Sequence, residues 1–87
     1  VYGIVSAYLL GADPTENEAR HAILTDELGR RGLVHCEFTG TWEGQREKAV
    51  AVKDIAPEVL EEIGRRYGQE AVVYVAPGTR KLIRLRA

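Results

Sequence analysis

The chain has little of what most recognisable sites are built from: one cysteine, two histidines, one tryptophan, one phenylalanine and four tyrosines among 87 residues. A lone cysteine, Cys36, excludes an intrachain disulfide and a cysteine-built zinc site. His21 and His35 are the only imidazoles, they lack metal-ligand spacing, and the carboxylates are scattered on helix exteriors, so neither a metal nor a cofactor is expected. Glycine-rich phosphate loops are missing too. Gly29-Arg30-Arg31-Gly32 follows a helix and precedes a strand, the reverse of what such a loop needs. No apolar stretch approaches the ~20 residues that span a bilayer, and Val1-Tyr2-Gly3 lacks the basic start of an export signal. A cytoplasmic location without a membrane partner is the expectation.

What is present is the composition of one small globular domain spanning residues 1–87: 45% apolar, 29% charged, formal net charge −1. That neutrality is unevenly built. Arg80, Lys81, Arg84 and Arg86 fall in the last nine residues, which leaves eight basic against thirteen acidic residues, a net −5, on residues 1–78. A basic stretch of this kind either protects a solvated edge strand or forms a patch for phosphate.

The periodicity predicts β-α-β-β-α-β-β. Residues 2–10 are almost continuously apolar and read as a central strand. Asp13-Pro14-Thr15-Glu16 starts a helix that runs to about Arg31, with Gly32-Leu33 as its left-handed cap. From there the period becomes two. Val34, Cys36 and Phe38 share one strand face and His35, Glu37 and Thr39 the other, with Cys36 read as a small buried hydrophobe. Gly40 to Gly44 turns the chain into a returning strand through Ala49, Val50, Ala51 and Val52. Pro57 opens a second helix with the apolar stripe Val59, Leu60, Ile63 and Tyr67. Ala71–Ala76 is a fourth strand, and Pro77-Gly78 leads to a fifth over Lys81–Arg86. The first six elements match a ferredoxin-like α+β sandwich, an antiparallel sheet with two helices on one face, plus an extra C-terminal strand.

The first helix carries polar residues where apolar ones are needed. At 100° per residue, Ile23, Leu24 and Leu28 face the sheet, and so do Asn17 and Arg20. Burying these groups costs several kcal/mol unless partners satisfy them. Topology draws the start of this helix, the middle hairpin and the end of the second helix to one end of the domain. Asn17, Arg20, Glu43, Glu47 and Gln69 therefore form either a polar cleft or a sealed network, in which Arg20 pairs with Glu43 or Glu47 and Gln69 satisfies loop backbone.

Ser6-Ala7-Tyr8, then Asn17-x-x-Arg20, Leu24, Glu27-Leu28 and Gly32-Leu33, and later Arg66-Tyr67-Gly68-Gln69-x-Ala71-Val72, resemble a bacterial domain-of-unknown-function family, number 3293. Leu9-Leu10 stands where that family has Asn-Pro, and Trp42-Glu43-Gly44-Gln45 keeps part of a second segment without its serine. The resemblance implies a fold over most of the chain and no activity.

No catalytic constellation emerges. A Cys36–His35 nucleophile pair would require side chains on opposite strand faces to meet. The strand over Ala49–Val52 lacks the aromatics with which RNA-recognition domains stack bases, although the basic terminal strand keeps a nucleic-acid partner open. The helix-free sheet face, with Tyr8, Tyr74 or their neighbours among alanines and valines, suits a protein partner or a homodimer, and Trp42 at the hairpin tip is either an interface anchor or a lid on the core. The expectation is a small non-catalytic protein-binding domain, of the kind that phage or mobile elements use as anti-CRISPR inhibitors. The alternative is a small-ligand or nucleic-acid module using the polar cleft and the basic strand.

Overall fold

The computed structural model describes residues 1–85, apart from the side chain of Trp42. Arg86 therefore lies outside the described residues, and Trp42 is placed only by its backbone, opposite Gln45. The elements are β1 (Tyr2–Val5), α1 (Pro14–Arg30), β2 (His35–Trp42), β3 (Gln45–Lys53), α2 (Pro57–Arg66), β4 (Ala71–Ala76) and β5 (Thr79–Arg84). The five strands make one antiparallel sheet in the order β2-β3-β1-β4-β5, with both helices on one face. This is the ferredoxin-like sandwich, and β5 extends it beyond β4.

Local chemistry sets the boundaries. Asp13 caps α1 by accepting from the Thr15 amide at 2.7 Å, with Pro14 in the first turn. The helix ends in a Schellman-type cap: Gly32 has φ 72°, and the Leu33 amide donates to the Leu28 carbonyl at 3.0 Å. β2 runs further than its glycines suggest, to Trp42, because Glu43 and Gly44 supply both positive φ values of a two-residue hairpin turn. β1 is shorter than its apolar run. After Val5 the chain leaves the ladder, and the Ser6 hydroxyl takes over, donating to the Lys48 carbonyl at 2.7 Å and accepting from the Tyr8 amide at 3.1 Å.

The core lies between the sheet and the helices: Val5, Leu24, Leu28, Val50, Val52, Ile55, Leu60, Ile63 and Val72 are all but inaccessible. Close approach of α2 depends on two glycines. A Cβ on Gly3 would meet Leu60 at 2.6 Å, and one on Gly64 would meet Leu85 at 2.5 Å and Val72 at 2.7 Å.

Several expected placements are corrected. Ile23 is exposed, and the buried line of α1 is Asn17, His21, Leu24 and Leu28. His21 is buried because its Nε2 meets the Glu37 carboxylate at 2.9 Å across the helix-sheet junction. The two-residue period of β2 holds, but its faces are inverted: Glu37 pairs across the ladder with the core residue Val50, so the His35, Glu37 and Thr39 face lies under α1. Val34, Cys36 and Phe38 are exposed on the other side, which overturns Cys36 as a buried hydrophobe.

Candidate functional site

The polar end of the molecule is largely a structural tie. Asn17 brackets Leu9, accepting from its amide at 2.8 Å and donating to its carbonyl at 3.2 Å. The guanidinium of Arg20 donates to the Ala7 carbonyl at 2.6 Å and to the Tyr67 carbonyl. The Gln69 amide donates to the Tyr8 carbonyl at 2.9 Å. Arg20 thus pairs with backbone carbonyls, where Glu43 or Glu47 was expected. A second tie holds the far end of α1. Glu27, 9% exposed, accepts from the Tyr67 hydroxyl at 2.9 Å and from Arg66 at 2.7 Å. Burial and the neighbouring carboxylate of Glu27 push the Tyr67 phenol up to about 12.

Tyr8 and Tyr74 are not on the helix-free face. The Tyr8 hydroxyl donates to Glu18 on α1, which also accepts from Lys48 at 2.8 Å. Tyr74 stands opposite Gly3 and Lys81 and packs against the core. Strand register, which the sequence does not specify, decides which of Tyr8, Tyr74 or their neighbours face outward. Their neighbours do occupy the open face, where Tyr2, Ile4, Phe38, Ala49, Ala51, Val73, Val75 and Leu82 alternate outward.

A groove of about 460 Å³ runs along the upper half of this open face. Small residues make its floor, namely Ser6, Gly40, Ala49 and Ala71, while Phe38 on β2 and Leu82 with Arg80 on β5 rise as walls. Glu47 and Gln69 stand at its upper end. Of the predicted cleft residues, the fold therefore brings Glu47 and Gln69 to the groove. Asn17 and Arg20 are committed to backbone, and Glu43 is an exposed turn residue with φ 53°.

Glu47 is the unusual group. It is half-buried, and no hydrogen bond or ion pair from another described residue reaches its carboxylate. Desolvation alone holds its carboxyl above the usual glutamate range. Arg80 and Arg84 point to the same face and Lys81 to the other; none forms an ion pair among the described residues. The groove thus holds uncompensated charges of both signs around an apolar floor: the half-buried Glu47, the exposed Glu70 and, on the β5 wall, Arg80. Sequence reasoning missed Phe38 and Gly40. The available signal was a glycine inside a strand and an aromatic two residues before it on the same face.

Among the described residues, no cluster of three or more potential metal ligands occurs, and no helix is long and apolar enough to cross a membrane.

Neither curated proteins nor solved structures gave a match. A family model does match: that of the S-adenosylmethionine lyase family, over residues 3–87. It overturns the resemblance to family 3293, and with it the expectation of an uncharacterised, non-catalytic inhibitor of the anti-CRISPR kind. The residues that carried that resemblance, Asn17, Arg20 and Gln69, bind loop backbone; such ties report how a fold is closed and say nothing of its chemistry. With all but Val1 and Tyr2 inside the match, the chain belongs to the S-adenosylmethionine lyase family.

Proposed function

We propose that the protein is an enzyme that cleaves a carbon–sulfur bond of S-adenosylmethionine without water, in the open-face groove, with Glu47 as the group that faces the reacting sulfonium. Family membership supports the substrate and reaction class. The observation that carries the site is the half-buried, unpaired carboxylate of Glu47 in an apolar groove, with Arg80 on its opposite wall.

The substrate has a permanent positive charge on sulfur, an amino acid zwitterion at one end and a flat purine at the other. A sulfonium has no N–H or O–H to donate, so it is recognised by charge in a dry setting. A unit pair at 4 Å is worth about 1 kcal/mol in bulk water and about 4 kcal/mol at an effective dielectric near 20. Glu47 is placed in the second regime, and a bound cation returns its carboxyl toward the ionised form. Arg80 offers a fork for the substrate carboxylate.

Heterolysis leaves the electron pair of the broken bond on sulfur, which becomes a neutral thioether. The leaving group therefore needs no acid. The carbon that loses sulfur completes its valence within the substrate, either by losing a proton from the adjacent carbon or by bonding the substrate's own carboxylate oxygen. Both routes consume charge, and apolar walls such as Phe38, Ala49 and Leu82 favour a transition state less charged than its ground state. Glu47 can accept the proton in the first route and orient the sulfonium in either.

The test is incubation of the purified protein with S-adenosylmethionine in water enriched in heavy oxygen. Release of an adenosine thioether, with no heavy oxygen in the primary products, supports the reading. A substrate that survives intact, or a cleavage that incorporates solvent oxygen in the bond-breaking step, overturns it.

A further inference from the structure

The three interior glycines that face neighbouring side chains are not alike. Gly3 and Gly64 are required by packing, because an added Cβ would strike core side chains at 2.5–2.9 Å. Gly40 is not. Its φ is not positive, and an added Cβ would find only Phe38 Cε2, at an ordinary 3.5 Å. Glycine weakens a strand interior, and where neither backbone nor neighbours require it, it marks a place where something approaches closely. Gly40 sits mid-strand in β2, directly opposite Glu47, and two residues from Phe38 on the same face. Phe38 is 40% exposed although it is one wall of the groove. The result is a gap beside an uncovered aromatic ring, next to the unpaired carboxylate.

We infer that this gap is the seat of the substrate's purine: the adenine ring stacks on Phe38 over Gly40, and Gly40 determines specificity for an adenosyl sulfonium over a simple one. The inference rests on the lyase reading above and assigns one end of the same groove. A purine is flat and polar only at its edge, which matches an aromatic ring beside a backbone stripped of its side chain. Phe38 is cross-strand from Ala49, so Glu47 lies on its diagonal, a spacing of roughly 7 Å in antiparallel pairs. One ribose separates adenine from sulfur in the substrate. A ring on Phe38 therefore brings the sulfonium toward Glu47, and the two groups serve opposite ends of one ligand.

Two ligands that each carry half of the substrate separate this role from a structural one: 5′-methylthioadenosine has the adenine without the charge, and S-methylmethionine has the sulfonium without the adenine. Calorimetric titration of both into the wild type, Gly40→Val, Gly40→Ala and Phe38→Leu, with melting curves to certify folding, reads the effect directly. Gly40→Val and Phe38→Leu are expected to weaken methylthioadenosine roughly tenfold or more while changing S-methylmethionine less than about twofold, with Gly40→Ala intermediate. Equal losses for both ligands, or full methylthioadenosine affinity in Gly40→Val, overturn the purine seat even if the wild type cleaves S-adenosylmethionine. A wild type that neither cleaves the substrate nor binds either half overturns the lyase reading itself. If Gly40→Val does not fold, Gly40→Ala and Phe38→Leu decide the matter alone.

Discussion

Arg20 and Tyr67 are joined across 47 residues of sequence by a guanidinium donating to a backbone carbonyl. The same guanidinium reaches the Ala7 carbonyl, so one side chain on α1 closes the strand that precedes it onto the turn that follows α2. The two elements that frame the upper end of the groove, the segment after β1 and the segment before β4, are held by this residue and by Gln69.

Removing that fork leaves two carbonyls to find other donors. Arg20→Met is expected to destabilise the fold by about 3–6 kcal/mol in denaturant titration, the scale of two hydrogen bonds to a charged group. Arg20→Lys should recover less than half of the loss, because a point ammonium cannot reproduce a planar fork aimed at two oxygens. Full recovery by lysine would show that charge, and not geometry, is what the position supplies.

Tyr67 makes the complementary prediction. Tyr67→Phe removes the hydroxyl that donates to buried Glu27 and is expected to cost about 1–3 kcal/mol. The ordinary phenol value is 10.0, and in the folded protein both Tyr67 and Tyr8 are raised to about 12, in each case first by desolvation and then by a glutamate partner. A raised acid stabilises the fold below its unfolded value and loses that contribution as pH climbs through its folded one. Stability should therefore fall between about pH 10 and about 12. The Tyr67→Phe variant should show a shallower alkaline decline in melting temperature than the wild type; an identical slope would assign the decline to other groups.

The chain's architecture was readable because its signals are local. Asp13-Pro14, Gly32-Leu33, Pro57 and Pro77-Gly78 mark element ends by capping and turn chemistry that acts within a few residues. The site was only half readable. Topology draws Glu47 and Gln69 to one end, but Phe38 shares its strand face with Cys36, which reads as buried because an apolar residue in an alternating strand ordinarily faces the core. On an edge strand under a polar helix stripe the relation inverts: His21 Nε2 meets the Glu37 carboxylate beneath α1, and the apolar face is left for the groove. Face assignment depends on such a long-range pair, separated by 16 residues, which no window of periodicity contains.

Acid acts through a different set of groups. Glu18 is lowered chiefly by its hydrogen bond from Lys48, and Glu37 chiefly by its contact with His21. A lowered carboxyl stabilises the fold above its unfolded value and loses that contribution as pH falls through its folded one. The loss should lie below the ordinary glutamate value of 4.5 for both. Glu18→Gln and Glu37→Gln together are expected to flatten the acid limb of melting temperature against pH. Because both carboxylates are solvent-exposed, the effect should also shrink in high salt, and a salt-independent acid limb would point to buried groups instead.

Glu47 shifts the other way, and this makes its role separable from theirs. Its carboxyl is raised by desolvation, so in the unliganded fold its contribution to stability is present at acid pH and declines as pH rises through its folded value. The proposed reaction needs the opposite form, since only the ionised carboxylate attracts a sulfonium. Activity at limiting substrate should therefore fall, as pH is lowered, at a higher pH than an ordinary glutamate would give, while the protein is still fully folded. Glu47→Gln, close in shape and permanently neutral, is expected to lower kcat/KM by roughly a hundredfold or more, within the range for a positioned acid–base group, and to abolish that acid limb. It should melt at or above the wild-type temperature near neutral pH, because it removes an unpaired, half-buried charge. An acid limb that survives in Glu47→Gln would place the titrating group elsewhere. A variant with lost activity and a lowered melting temperature would make Glu47 a structural residue, and the groove would lose its reacting group.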